Sequence, residues 1–423
     1  MTAHDWHFRL ADGLVGVALF LLPWQMRYIF SSPALAGGPW EYGIGSVYAI
    51  EILIVIAAFL RHRQICAWIK PVRGPLLACG GVWALSASVG AAPLISFGFL
   101  WHILCAMVFA VLLVVTPMSR NRLVAIFIAG LLPAAALAWF QVSNGWSPAS
   151  TWLGLALHAA KTSGTAVIET KAGRLLRGYG PYPHPNIFGG VLVFGIGACL
   201  WLAGRVSSRR ARGSLAIAAA VLSATLIITF SRSAFLALGV MILVFIFKKG
   251  KRIVMTGIII GLLAAAFCFR VPLLSRADMT NRLEQKSTME RGNQYKEFAA
   301  VFSSAPFLGT GPGAYTAALA HLFPGSPSWA YQPIHNALLL MVAELGIWGS
   351  FALAWLSVSC LRLLRSRQPS SCNLYPLLPL LLFDHYVWSS WAGLGLVALC
   401  ALYRPLTAMP FLPKMGFASS LDR

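Results

Sequence analysis

Charge is what this sequence has least of. Only 11% of its 423 residues are Asp, Glu, Lys or Arg, where a soluble domain carries roughly 25%. Apolar residues make up 58% and the mean hydropathy is +0.73, so a soluble globular fold is excluded. Negative charge is scarcer still, with 12 acidic residues against 33 basic ones and no Asp-x-Asp pair. The eight cysteines (66, 79, 105, 199, 268, 360, 372 and 400) include no Cys-x-x-Cys and no Cys/His metal spacing. There is no internal repeat and no low-complexity tract. The N-terminal apolar run lacks a small-residue cleavage site after it and reads as an uncleaved first span.

Long apolar runs are abundant, and about twenty residues suffice to cross a bilayer. The pattern predicts twelve spans, near 12–30, 43–60, 75–92, 97–117, 123–143, 185–204, 214–231, 233–247, 253–272, 333–361, 373–388 and 390–408. The expected fold is therefore an all-α polytopic membrane protein, one membrane domain over 1–423. Two long polar excursions interrupt it, at 144–184 and 273–332. Neither contains cysteine, so an external disulfide framework is excluded. Basic residues cluster in alternate short loops: Arg61, Arg63, Lys70 and Arg73; Arg120 and Arg122; Arg205, Arg209, Arg210 and Arg212; Lys248, Lys249, Lys251 and Arg252; Arg362, Arg365 and Arg367. The positive-inside rule puts these loops, and both termini, in the cytoplasm.

The other excursion cations, among them Lys161, Arg174, Arg177, Arg276, Arg282, Arg291 and Lys296, then face outward. Two causes fit: an anionic ligand on that face, or anionic lipid headgroups. The bilayer is an expected partner and nucleic acid is not.

Four stretches bring chemistry to that face. His335-Asn336 opens a long apolar helix. Imidazole titrates near neutrality and suits proton transfer, and the pair equally suits a helix cap. Thr229-Phe-Ser-Arg232-Ser sets an arginine between hydroxyls. It reads as a bidentate phosphate contact or as an interfacial cation held by helix carbonyls. Residues 289–304 have helical spacing, with Tyr295, Phe298, Val301 and Phe302 as an apolar stripe and Arg291 and Lys296 on other faces. The glycine cluster 308–313 follows, an ordinary turn before it is an anion nest. Finally, Arg174 and Arg177 would share a face if a helical turn persists there. His184 and Asn186 start the sixth span, where capping is the favoured role. Glu344 lies roughly 13 Å further along its helix than His335 at 1.5 Å per residue, too deep to touch it. Asp384-His385 falls inside the eleventh span, where a structural role is favoured over one in a cavity.

Phe230-Ser-Arg-Ser-Ala, then Arg291 on a helix running into Pro306-Phe-Leu-Gly-Thr-Gly-Pro-Gly, then His335-Asn336 with Glu344-Leu-Gly346, together resemble the O-antigen ligase family and its polymerase relatives. Pro185-Asn186 fits as well. Tyr295 departs from the family pattern, where many relatives have Trp. The resemblance implies a GT-C-type glycosyltransferase that uses an undecaprenyl-diphosphate-linked O-antigen donor and a lipid A–core acceptor. The reaction would lie on the periplasmic face of a bacterial inner membrane. It implies Arg232, Arg291 and His335 as the functional centre. On that basis Arg232 and Arg291, with Arg174 and Arg177 as weaker candidates, hold the donor diphosphate. His335 is the base, and Asn336, Tyr295, His184 and Asn186 are weaker substrate contacts. With so few carboxylates on that side, arginine takes the place of a metal and no cofactor is expected. An O-antigen polymerase shares this reading. A flippase for lipid-linked sugars would want charges along the spans, where Glu51, Glu344 and Asp384 are the main ones.

Overall fold

The computed structural model describes residues 3–246, 250–278, 282–365 and 377–402. Lys248, Lys249, Arg367, Cys372, Arg404, Lys414 and Arg423 lie outside the described residues, as do the start of the eleventh expected span and the end of the twelfth. The helices in chain order are α1 (Ala3–Leu21), α2 (Ala49–Leu60), α3 (His62–Ile69), α4 (Arg73–Val89), α5 (Pro93–Val115), α6 (Arg120–Asn144), α7 (Pro185–Ala203), α8 (Arg209–Thr229), α9 (Arg232–Phe245), α10 (Arg252–Cys268), α11 (Arg270–Ala277), α12 (Arg282–Ser304), α13 (Tyr315–Leu322), α14 (Ala337–Arg365), α15 (Leu377–Phe383), α16 (Tyr386–Ser389) and α17 (Trp391–Leu399).

Six helical stretches among the described residues are long and apolar enough to cross a membrane: 62–89, α5, α6, α7, α8 and 337–363. A seventh is broken, α10 turning by 84° into α11. The chain is thus a polytopic membrane protein; among the described residues, six or seven of the twelve expected spans are helices of full spanning length. α2 and α9 are apolar and hold 12 and 14 residues; at 1.5 Å each they reach about 18 and 21 Å, short of a hydrocarbon core of about 30 Å. The expected span 12–30 ends at Leu21, before Pro23, which cannot extend the hydrogen-bond ladder. The chain then forms an antiparallel pair of strands, Arg27–Ser31 with Gly45–Tyr48. The expected pair 373–388 and 390–408 is three short helices, interrupted at Asp384-His385 and at Ser390.

α7 is the centre of the bundle. Seventeen of its residues are buried, so it reads apolar on every side, as a helix enclosed by others must. It packs on α6, α8 and α9. Its N-terminus, the C-terminus of α8 and the N-termini of α9 and α14 all meet at one end of the bundle, and both excursions gather there.

The two excursions fold differently. Part of the first is a strand hairpin, Val167–Thr170 with Gly173–Leu176, in which Glu169 faces Arg174. The helical turn expected to align Arg174 with Arg177 is therefore absent. Arg174 is exposed on the hairpin, whereas Arg177, just past it, is buried. The second supplies α11, α12 and α13. The α14 ladder breaks at Gly346, whose φ is +65°. Residues 306–311 fill the break. The Thr310 and Gly311 N–H groups donate to the Ala343 and Glu344 carbonyls at 3.0 Å each. Those of Ile347 and Trp348 donate to Pro306 and Phe307 at 2.9 and 3.1 Å. The glycine cluster is a plug for an opened helix, and Gly309 and Gly346 touch backbone to backbone, with no room for a Cβ.

Candidate active site

His335 sits one residue before the cap of α14. The cap is Asn336, whose Oδ1 accepts from the Leu339 N–H at 3.1 Å. Orienting the imidazole falls instead to Gln294, which the sequence reading missed. Its Oε1 accepts the His335 backbone N–H at 3.1 Å and lies 3.0 Å from His335 Nδ1. An atom that accepts a backbone N–H is the amide oxygen, so Nδ1 must carry the proton that points at it. The Nε2 lone pair is then the basic site. Burial, and after it the positive charge of Arg291, push the His335 imidazole down to about 4, so it is neutral at pH 7.

Gln294 and Arg291 share the inward face of α12 with Phe298 and Val301, at steps of three, four and three. Val301 is fully buried and Gln294 nearly so. Tyr295, one position on and about 100° around the helix, is 53% exposed and is not brought to His335. The apolar stripe thus starts at Phe298, and Arg291 is on its face, not on another.

Asp384-His385 is the second partner. The His335 and His385 rings are 5.2 Å apart, edge to face. His385 Nδ1 lies 2.7 Å from Ser389 Oγ, which donates its own proton to the His385 carbonyl at 3.2 Å. That hydroxyl therefore accepts from Nδ1–H, and Nε2 of His385 is also a lone pair. The buried Asp384 carboxylate accepts from the His385 N–H at 3.0 Å and from Asn186 Nδ2 at 3.1 Å. The pair lies at a helix break at the site end and not inside a continuous span, which favours the cavity role over the purely structural one.

Asn186 bridges onward, its Oδ1 accepting from Arg177 at 2.8 Å. It is not the cap of α7. His184 is, with Nδ1 accepting the Asn186 N–H at 3.1 Å. His184 is exposed to solvent by accessible surface. Desolvation by the protein around it, then the charge of Arg177, push its imidazole well below its ordinary value.

Arg177 also donates from Nε to the Thr229 carbonyl at 2.7 Å, and Arg276 donates to the Phe230 carbonyl at 3.4 Å. Phe230 has φ +49°, a left-handed conformation that costs a non-glycine residue roughly 1–2 kcal/mol. Two guanidinium groups thus fix the strained turn that launches α9, where Ser231 caps the helix and Arg232 is its first residue. Arg232 is half-buried there. Arg174 stays on its exposed hairpin, outside this cluster.

Ligand atoms of His335, Asp384 and His385 lie within 4.8 Å of one another, a spacing able to hold a metal ion. The surroundings argue against one. Arg177 and Arg291 both act on Asp384, so the local charge is positive, which repels a cation and attracts an anion.

Below the histidines lies a cavity of about 280 Å³. Tyr42, Pro333 and Ser389 stand on its wall nearest the site, and the Tyr42 and His385 rings are 5.9 Å apart. Glu344 is also on its wall. Its carboxylate accepts from the Gly313 and Tyr315 N–H groups and from the Trp388 indole at 2.8, 3.4 and 2.7 Å.

Residues 216–354 match the family model described as O-Antigen ligase. A comparison with curated proteins finds no match. The matched stretch holds Arg232, Arg276, Arg291, Gln294 and His335. The structure adds Arg177, His184, Asn186, Asp384 and His385 from outside it. Over that third of the chain, residues 216–354, the sequence is similar to the O-antigen ligase family.

Proposed function

We propose that this protein is an O-antigen ligase of the bacterial inner membrane. It moves O-antigen polysaccharide from undecaprenyl diphosphate to a sugar hydroxyl of lipid A–core on the periplasmic face, within a GT-C-type architecture. The observation that carries the reading is a neutral His335, its Nδ1–H held by Gln294 and its Nε2 basic, beside an arginine-rich turn.

The chemistry balances with these groups. The acceptor oxygen attacks the anomeric carbon, and the carbon–oxygen bond to the diphosphate breaks with its electron pair going to the leaving group. The hydroxyl proton passes to Nε2 of His335. Attack opposite the leaving group inverts the anomeric configuration. The diphosphate gains charge as the bond breaks, so Arg232 and Arg291 stabilise the transition state more than the ground state. Arg177, tied to Thr229 and Asn186, positions the turn and adds charge at short range. Asp384, beside the histidine pair, stabilises the imidazolium that forms. Asn336, Tyr295 and Arg174 carry no role in this scheme, and His184 acts as a cap.

Purified protein given labelled lipid-linked polymer and rough lipopolysaccharide, with EDTA present, tests the reading. Smooth lipopolysaccharide is the expected product. Elongation of the lipid-linked polymer without transfer to core would make the protein a polymerase. Activity lost to EDTA and restored by a divalent ion would reassign His335, Asp384 and His385 as metal ligands.

A further inference from the structure

The cavity under the histidines has a polar group with nothing to bind. Tyr315 lines it, is 0% exposed, and its hydroxyl has no hydrogen-bond partner among the described residues. Leaving a buried hydroxyl unpaired is costly, and a ligand hydroxyl would remove that cost. Thr316 and Ser389 add hydroxyls to a wall that mixes polar side chains, Glu344 and His102 among them, with apolar ones such as Phe99.

The opposite wall is held open by a glycine. Gly98 lies in the interior of α5, where glycine costs about 1 kcal/mol relative to alanine. A Cβ built on it meets nothing within 4 Å. The helix therefore gives up stability at a position where a side chain would project into the void.

The cavity also sits on the side away from the arginine-rich turn. A hydrogen-bonded chain runs from Arg177 through Asn186 and Asp384 to His385 and Ser389, and Ser389 belongs to the cavity wall. In a displacement with the leaving group at the arginines, the attacking hydroxyl comes from the other side of the histidine pair. At about 280 Å³ the space is just below the range of drug-sized ligand pockets, about 300–1,000 Å³, and suits a single ring.

Resting on the ligase reading above, we propose that this cavity is a saccharide subsite that seats the acceptor sugar whose hydroxyl is delivered to His335. Tyr315 and Thr316 grip its hydroxyls, and Phe99 and Tyr42 cover its apolar faces.

Steady-state ligation by the full-length protein, with rough lipopolysaccharide and lipid-linked polymer varied separately, tests this. Gly98→Trp fills the void and should raise the KM for rough lipopolysaccharide at least about tenfold, with the donor KM unchanged. Tyr315→Phe should raise the acceptor KM about fivefold, the worth of one neutral hydrogen bond. Its melting temperature should stay level or rise, since the orphaned hydroxyl is gone. An unchanged acceptor KM in Tyr315→Phe, or a donor KM that rises in its place, overturns the subsite. A folded Gly98→Trp protein with wild-type acceptor KM does the same. A wild type that makes no smooth lipopolysaccharide contradicts the ligase reading instead.

Discussion

At the scale of single residues, the site depends on which nitrogen of His335 holds its proton. Gln294 decides that by accepting two N–H groups on one oxygen. Gln294→Ala should therefore lower kcat about tenfold, the effect of roughly 1.4 kcal/mol from one lost hydrogen bond, and Gln294→Glu should restore much of it. Tyr295→Ala, on the exposed side of the same helix, should leave kcat within about twofold, consistent with the small effect of surface changes. The pH dependence follows from the lowered basicity of His335. Its neutral form persists as pH falls until about 4, so the acid limb of kcat/KM, which reports the free enzyme, lies near there and not near the ordinary imidazole value of about 6.5. Arg291→Ala removes one of the two causes and should move that limb upward. Bound diphosphate offsets the same charge, so the limb of kcat should lie above that of kcat/KM. Stability has the same sign: between about 6.5 and 4 the unfolded chain takes up the proton first, and stability falls as pH drops through that window. A limb fixed near 6.5 in both wild type and Arg291→Ala would contradict this.

At the scale of elements, the break in α14 is the junction on which the site stands. Gly346 is left-handed and touches Gly309, and the plug at 306–311 replaces the lost helix bonds. Gly346→Ala combines a left-handed cost of about 1–2 kcal/mol with a steric clash. It should lower the melting temperature and the activity together, whereas Gly80→Ala, in open space on α4, should not lower the melting temperature. Sequence was informative about some elements and silent on others. The 3.6-residue period of 289–304 made α12 legible, and the apolar runs made the long helices legible. The face of α12 was misassigned because only apolar residues were counted: Arg291 and Gln294 continue the buried row as polar members. Asn186 looked like a cap because it follows a proline, but the cap is two residues earlier, at His184. Asp384-His385 was visible as a polar pair in an apolar run. Its place at the site was not, because hydropathy averaged over a window smooths across a helix break.

At the scale of the whole molecule, the turns sort by charge. The turns joining α7 to α8 and α5 to α6 carry Arg205, Arg209, Arg120 and Arg122. Both excursions, 144–184 and 273–332, lie at the other end with the site. We therefore expect an impermeant maleimide applied from the periplasmic side to label Lys161→Cys and Lys296→Cys and to leave Arg209→Cys unlabelled until the membrane is permeabilised. The reverse pattern would place the site in the cytoplasm, away from an undecaprenyl-linked polymer. Among the described residues several expected spans are shorter than full-length helices, because apolar composition does not reveal where a helix stops. Pro23, the 84° turn after α10 and the break at Asp384 each shorten a run that reads as continuous.

The central claim is that His335 takes the acceptor's proton while arginine, not a metal, holds the leaving diphosphate. Single-turnover ligation in EDTA by wild type and His335→Ala, both saturated with donor and acceptor, tests it most directly. The account predicts smooth lipopolysaccharide from the wild type and a rate lower by about a hundredfold to ten-thousandfold in the variant. A His335→Ala enzyme that ligates at close to the wild-type rate would contradict it.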